Sequence, residues 1–257
     1  MADATTVLSC GDNYIYVYRY AGSEALVVDP ADAALVLDAL GRAGLTLTTI
    51  LVTHHHWDHT AGVVALKSET GSEVVSADQQ RIKGTDRVVA DGDTVTVGAV
   101  EIAVLGTPGH TRSSVCFYLG PRAAGEVGVV WTGDTLFVGG CGRPMECDAS
   151  VLWRSLAKIA ALPAETLVYC GHDYTAENYA FALTIDPDNE ALGRRLEAVE
   201  EAAGKGLPSV PSTVAQEKAT NIFLRAGEAT IGKTLGMAGA PAERVFAELR
   251  RRKNVFG

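Results

Sequence analysis

The stretch Thr53-His54-His55-His56-Trp57-Asp58-His59-Thr60-Ala61-Gly62 decides how this chain is read. It follows the short apolar run TTILVT (48–53), which predicts a strand buried on both faces. The chain must leave the sheet there, and loops at strand ends are where a rigid scaffold carries functional side chains. His54, His56, Asp58 and His59 place three imidazoles and a carboxylate within six positions. Zinc, iron and manganese all accept such ligands. In an extended or turning segment, residues 54, 56 and 58 point to one side and 59 turns over the top. Four ligand groups this close exceed what one catalytic ion takes from a single loop, which suggests two ions. A polar surface loop or an affinity-tag remnant is the bland alternative, but a tag would lie at a terminus and lack the interleaved Asp and Trp. Alternation turns His55 away from the cluster, toward packing or hydrogen-bond support. Trp57 is expected to be a hydrophobic prop under the loop.

The remaining two histidines each close a strand. His110 stands in Thr107-Pro-Gly-His-Thr111 and His172 in Cys170-Gly-His-Asp-Tyr174, both directly after glycine. Glycine lets the backbone turn sharply and approach a ligand. Asp134, in Thr132-Gly-Asp-Thr135, ends the apolar run 127–131 in the same way. Together these groups make five histidines and two aspartates, enough for two ions with one aspartate shared.

Short β-rich segments fill the first two thirds: 14–20, 24–30, 48–53, 73–77, 94–97, 100–108, 114–120, 127–133 and 166–171. Helical spacing marks 31–43, ending at Gly44, then 61–70, ending at Gly71, and 148–162, with Asp148 or Ser150 as its N-cap. From about residue 174 the strand signal fades. Helices are expected over 174–204 and 241–253, joined by the Gly/Pro/Ser-bearing stretch 204–213. The expected organisation is a mixed α/β domain over 1–173 and a mainly helical segment over 174–257.

The 257 residues carry 22 basic and 31 acidic groups, a formal charge of −9, which argues against a nucleic-acid or anionic-membrane binder. That sum hides an asymmetry. Residues 205–257 hold nine Lys/Arg against four Asp/Glu, a basic segment suited to a small anionic substrate. Five cysteines with no C-x-x-C pair do not form a disulfide framework and fit a reducing, cytoplasmic home. The opening MADATTVLSCGDN has no basic region followed by an apolar one, so no secretory leader is expected, and no apolar run approaches membrane-spanning length.

The run THHHWDHTAG, followed in order by PGHT, TGDTLF and CGHDYT, resembles the metallo-β-lactamase superfamily. Over essentially the whole chain, including FVGGCGR (137–143) and the tail RRRKNVF (250–256), the sequence is similar to the glyoxalase II, or hydroxyacylglutathione hydrolase, family. The resemblance implies a four-layer αββα sandwich with a C-terminal helical domain. It implies that His54, His56 and His110 hold one divalent ion, that Asp58, His59 and His172 hold a second, and that Asp134 bridges them. Zinc is expected before iron or manganese. Asp58 and Asp134 would be the catalytic carboxylates, acting with a hydroxide shared by the ions on a glutathione thioester such as S-D-lactoylglutathione.

Substrate positions carried over from the family are Arg143, Met145, Tyr174, Arg250 and Lys253. Arg250 and Lys253 are three apart, on one face of a helix, placed to take a carboxylate of the glutathione glycine. Two positions depart from the pattern. Arg143 stands where the family often has Lys, which exchanges a point charge for a fork. Met145 stands where it often has Tyr, which removes one substrate hydrogen bond. A mononuclear iron persulfide dioxygenase of the same superfamily is the alternative expectation, with a β-lactamase and a non-enzymatic metal scaffold less well matched. A monomer or weak dimer is expected.

Overall fold

The computed structural model describes residues 5–256; the first four residues of the stretch read for a leader lie outside them. The first sheet is formed by β1 (Thr5–Cys10), β2 (Asn13–Ala21), β3 (Glu24–Val28), β4 (Thr46–Val52), β5 (Glu73–Ser76) and β6 (Arg87–Val88), in that spatial order. Between them lie α1 (Ala33–Ala43), α2 (Trp57–Thr60) and α3 (Val63–Thr70). The second sheet contains β7 (Thr94–Val97), β8 (Val100–Gly106), β9 (Val115–Leu119) and β10 (Val129–Gly133). It is completed by β13 (Leu167–Cys170) and β14 (Ser212–Thr213), in the order β14-β13-β10-β9-β8-β7. A small hairpin, β11 (Leu136–Phe137) and β12 (Gly140–Cys141), precedes α4 (Ala149–Ala160). The remaining helices are α5 (Thr175–Ile185), α6 (Glu190–Gly204), α7 (Val214–Thr220), α8 (Ala229–Thr234) and α9 (Ala242–Lys253).

Period-two alternation builds the layers. In β2, Tyr14, Tyr16, Tyr18 and Tyr20 face the second sheet and share a core with Leu26, Val28, Leu51, Ile102, Val104 and Phe117. The intervening Ile15 and Val17 face outward and pack with Val27, Ile50 and Val52 beneath Val36 and Leu40 of α1 and Val63 and Leu66 of α3. Leu152, Leu156 and Ile159 of α4 extend the inter-sheet core into the helical layer beyond. The architecture is the expected αββα sandwich with a C-terminal helical region. Helix α1 begins two residues later than expected, where the Asp32 carboxylate accepts the Leu35 N–H at 3.0 Å, and ends at left-handed Gly44 as expected.

Several expected elements differ. The helix over 174–204 is two helices, because Pro187 has no N–H for a helix interior; Asn189 then caps α6 by accepting from Leu192 N at 3.1 Å. The helix over 61–70 starts later, at Val63, after the single turn of α2. Strand β1 is half-exposed and polar, so it carries no alternation to read, yet it pairs residue by residue with β2 from Thr5↔Tyr18 to Cys10↔Asn13. The C-terminal segment is not wholly helical either: Ser212 and Thr213 pair with Val168 and Leu167 as an edge strand of the second sheet. All five cysteines are free, and among the described residues no helix is long and apolar enough to cross a membrane.

Phe117 is fully buried between the sheets, so Phe117→Ala should cost about 3–5 kcal/mol of unfolding free energy. Urea denaturation of metal-free protein measures it; a loss below about 1 kcal/mol would place Phe117 outside the cooperative core.

Candidate metal centre

Five strand ends of the two sheets deliver the site. Strand β4 runs into His54, His55 and His56, and the single turn of α2 then carries Asp58 and His59. Strands β8, β10 and β13 are followed by His110, Asp134 and His172. Strand β3 is followed by Asp29, whose backbone takes the left-handed conformation (φ 51°). Gly171 and Gly142 are needed for this convergence. A Cβ on Gly171 would lie 2.3 Å from Asp134 Oδ1, and one on Gly142 would lie 1.9 Å from Asp134 O.

Two groups of donor atoms result. His56 Nδ1 lies 3.1 Å from His54 Nε2 and 3.0 Å from His110 Nε2. His59 Nε2 and His172 Nε2 are 3.2 Å apart, with Asp58 Oδ2 3.4 Å from His172 Nε2 and 3.8 Å from His59 Nε2. Asp134 stands between the groups: Oδ2 is 3.3 Å from both His110 Nε2 and His172 Nε2, and Oδ1 is 3.4 Å from His59 Nε2. Among the described residues, His54, His56, His110 and Asp134 form one set able to hold an ion, and Asp58, His59 and His172 form another.

The hydrogen bonds behind the rings fix which nitrogen faces inward. His110 Nδ1 lies 2.8 Å from Arg143 O, an obligatory acceptor, so Nδ1 carries the proton and Nε2 presents a lone pair. Asp29 does the same for His59, with Oδ2 3.1 Å from Nδ1. The Thr53 hydroxyl donates to Asp29 Oδ2 at 2.6 Å and is therefore free to accept from His54 Nδ1 at 3.0 Å. In the neutral rings the inward nitrogens of His54, His59 and His110 are thus all lone pairs. His56 Nδ1 has at most one proton to offer the two that face it. Asp134 Oδ1 is buried without a well-aligned donor. Lone pairs crowded at about 3 Å repel unless a cation sits among them, and the donor set is one that zinc, iron or manganese accepts.

The electrostatics show a demand for positive charge at the same point. Burial, then the His59 charge, lowers the His54 imidazole well below the ordinary histidine range, and burial and His110 lower His56. Burial alone would raise the Asp134 carboxyl, but His59, His172 and His54 outweigh it and hold it well below its usual range. Burial likewise opposes charge on His59, yet Asp134 and Asp29 raise that imidazole. The pair of carboxylates therefore favours positive charge between them.

Asp29 and Asn13 were not anticipated from the sequence. Asp29 Oδ1 accepts Thr53 N at 2.7 Å while Oδ2 serves Thr53 and His59, so both oxygens are committed to supporting the ligand loop. Its signal was an Asp-Pro pair directly after an apolar strand. Asn13 Nδ2 holds Asp58 O at 2.8 Å. His55 does stand apart as support: its Nε2 is 3.3 Å from Arg81 Nη1, and Arg81 also binds Asp78 of its own loop and Glu146 and Ser113 from two others. Trp57 is not a prop. It begins α2 and is 79 % exposed, because the turn that brings Asp58 and His59 inward carries the residue before them outward.

A cleft of about 340 Å³ opens from His110 and Asp134 and is lined by Arg143, Met145, Tyr174, Arg250 and Lys253. All five expected substrate positions therefore meet at one wall of the metal centre. The Tyr174 ring stacks on His172 at 4.9 Å. Arg250 is buried and donates Nη1 to Cys141 O at 2.8 Å and Nη2 to Asn254 Oδ1 at 3.0 Å, with no carboxylate partner among the described residues. Lys253 is equally buried but is held by Glu177, a partner the sequence did not announce. Met145 is 62 % exposed at the rim.

A sandwich with an imidazole–carboxylate centre at one edge of its two sheets defines a metallo-β-lactamase-fold enzyme. Residues 8–172 match the metallo-β-lactamase superfamily, and residues 173–256 match the hydroxyacylglutathione hydrolase C-terminus. A hydroxyacylglutathione hydrolase of Rhodospirillum rubrum is 44% identical over 257 residues, covering 99% of this chain and 98% of that one. One from Methylococcus capsulatus is 46% identical over 248 residues, covering 95% of each. A crystal structure of ETHE1 from Myxococcus xanthus superposes with a TM-score of 0.68 at 28% identity, covering 98% of this chain and 91% of that one. The chain belongs to the hydroxyacylglutathione hydrolase family of the metallo-β-lactamase superfamily.

An Asp29→Asn change keeps an acceptor for Thr53 N but can set an N–H against His59 Nδ1. It should weaken metal binding about 10–100-fold, measured by chelator competition. Unchanged affinity would show that His59 needs no orienting carboxylate.

Proposed function

We propose that the protein hydrolyses glutathione thioesters of 2-hydroxy acids, S-D-lactoylglutathione foremost, to the free acid and glutathione, the second step of methylglyoxal detoxification. The observation that carries this reading is the cleft, which joins His110 and Asp134 directly to Arg250, a buried guanidinium with no acidic partner among the described residues. A buried cation so placed is suited to a carboxylate on the far end of an extended substrate. The named function of the relatives supports the same substrate class.

In this reading His54, His56 and His110 would hold one divalent ion, Asp58, His59 and His172 would hold the other, and Asp134, which stands between the two sets, would serve both. Bound there, two such ions supply a water of near-neutral pKa and polarise the thioester carbonyl. Asp58, anchored through Asn13, would ligate and orient the nucleophile. Arg143, Tyr174, Arg250 and Lys253 hold the glutathione moiety, with Met145 contributing an apolar edge at the rim. A leaving thiol of pKa ~8.5 departs as thiolate and needs no general acid.

Zinc suits the nitrogen-rich set, and iron or manganese would serve; a structural relative at 28% identity, TTHA1623, was solved in a di-iron-bound form with a TM-score of 0.53. We take 1–173 as the catalytic domain and 174–257 as the substrate-binding segment, in a cytoplasmic monomer or weak dimer.

Asp134→Ala should lose bound metal and nearly all hydrolysis; two retained ions with normal turnover would sink the bridging role. Arg250→Ala with Lys253→Ala should raise KM for the thioester about tenfold or more while leaving metal content intact, and an unchanged KM would remove both from the anion clamp. Metal-quantified protein tested on S-D-lactoylglutathione and glutathione persulfide side by side decides the reaction. Oxygen consumption on the persulfide, with one iron per chain and no thioesterase activity, would overturn the hydrolase reading.

A further inference from the structure

One wall of the cleft is the β11–β12 hairpin and the residues that follow it, with Phe137, Cys141, Gly142 and Arg143 facing the space. Only two residue pairs join its strands, Leu136↔Cys141 and Phe137↔Gly140. A two-stranded ribbon that short is not stable by itself in water. Its outward backbone groups are instead taken up by side chains of the C-terminal segment. Asn178 Nδ2 of α5 donates to Val138 O at 3.1 Å. Glu217 Oε2 of α7 accepts Gly139 N at 2.9 Å. Asn221 Nδ2 donates to Gly140 O at 2.9 Å and to Phe137 O at 3.3 Å. Arg250 Nη1 takes Cys141 O. Every residue from 137 to 141 is thus gripped by a buried side chain from the helical segment.

Glu217 is central to this grip. It is fully buried, and both its oxygens are committed: Oε2 also accepts from Asn221 Nδ2 at 2.9 Å, and Oε1 accepts from Ser212 Oγ of β14 at 2.5 Å. A buried carboxylate is costly, and nothing in the metal centre uses this one. The close approach needs Gly139 and Gly140, since a Cβ would lie 2.5 Å from the Tyr179 ring at the first and 2.4 Å from Asn178 at the second.

We propose that Glu217, together with Asn221, is a positioning residue for substrate binding: it fixes the tip of the hairpin that forms the glutathione-facing wall and so sets affinity rather than turnover. The inference rests on the thioester reading for its substrate. Glu217→Ala should raise KM for S-D-lactoylglutathione about tenfold with kcat within about twofold and two metal ions retained. Amide exchange over residues 137–141 should quicken by about tenfold or more in the same variant. Glu217→Gln keeps a carbonyl oxygen for Gly139 and Asn221 and turns its amide toward Ser212, so it should restore both values. Asn221→Ala provides the same readings if Glu217→Ala does not fold. Unchanged KM and exchange in the alanine variants overturn the proposal, as does loss of metal or of kcat in step with KM, which would mark a general structural role. Exchange is read without substrate, so it still decides Glu217's hold on the hairpin if the wild type fails to turn over the thioester, a result that overturns the function reading alone.

Discussion

The site depends on the Asp29 carboxylate. It is buried at the end of β3, beside β4, and it accepts from the Thr53 backbone, the Thr53 hydroxyl and the His59 ring. Through Thr53 it also sets the His54 ring. One anion thereby fixes two ligand rings and the loop that carries four. Without that anchor the lone pairs facing each other across about 3 Å would push the loop apart. The positive φ at Asp29 belongs to the same arrangement, since it turns the chain out of the strand while the side chain stays under the loop.

Rigidity behind the loop comes from the sandwich. Ligands arrive from both sheets, and the sheets are held face to face by tyrosines of β2 against Phe117 and Trp131. Tyr14 and Tyr16 extend this hold to the last ligand: Tyr14 OH donates to Asp173 Oδ2 at 2.6 Å, and Tyr16 OH donates to Cys170 O. His172 lies between those two contacts. The helical segment completes the other side. It supplies two of the three cations that line the cleft, Arg250 and Lys253, and the polar side chains that hold the opposing hairpin, so these cations and the ligand set open onto one cleft.

Much of this was legible. The ligand loop, His110, Asp134 and His172 stood out because residue type and strand-end position agreed at each. Arg250 and Lys253 were legible as one helix face. What was not legible was pairing across distance. Asp29 looked like any acid before a proline, Glu217 like any charge on a short helix, and Lys253 gave no hint of Glu177. Strand β1 and the two-residue strands carry too few apolar positions to show a period. Trp57 was misplaced because alternation was continued into a loop that had already become a helical turn.

By itself the sequence determined the chemistry available and the order in which strands deliver it, because ligand type and strand endings are local properties. Tertiary structure alone decided which nitrogen of His54, His59 and His110 faces inward and that Asp29 stands behind two of those rings. It also decided that a carboxylate from α7 steadies the cleft. Those facts depend on partners distant along the chain, as Asp29–Thr53, Asp29–His59 and Gly139–Glu217 show at separations of 24, 30 and 78 residues. Such partners meet only when the two sheets close on each other.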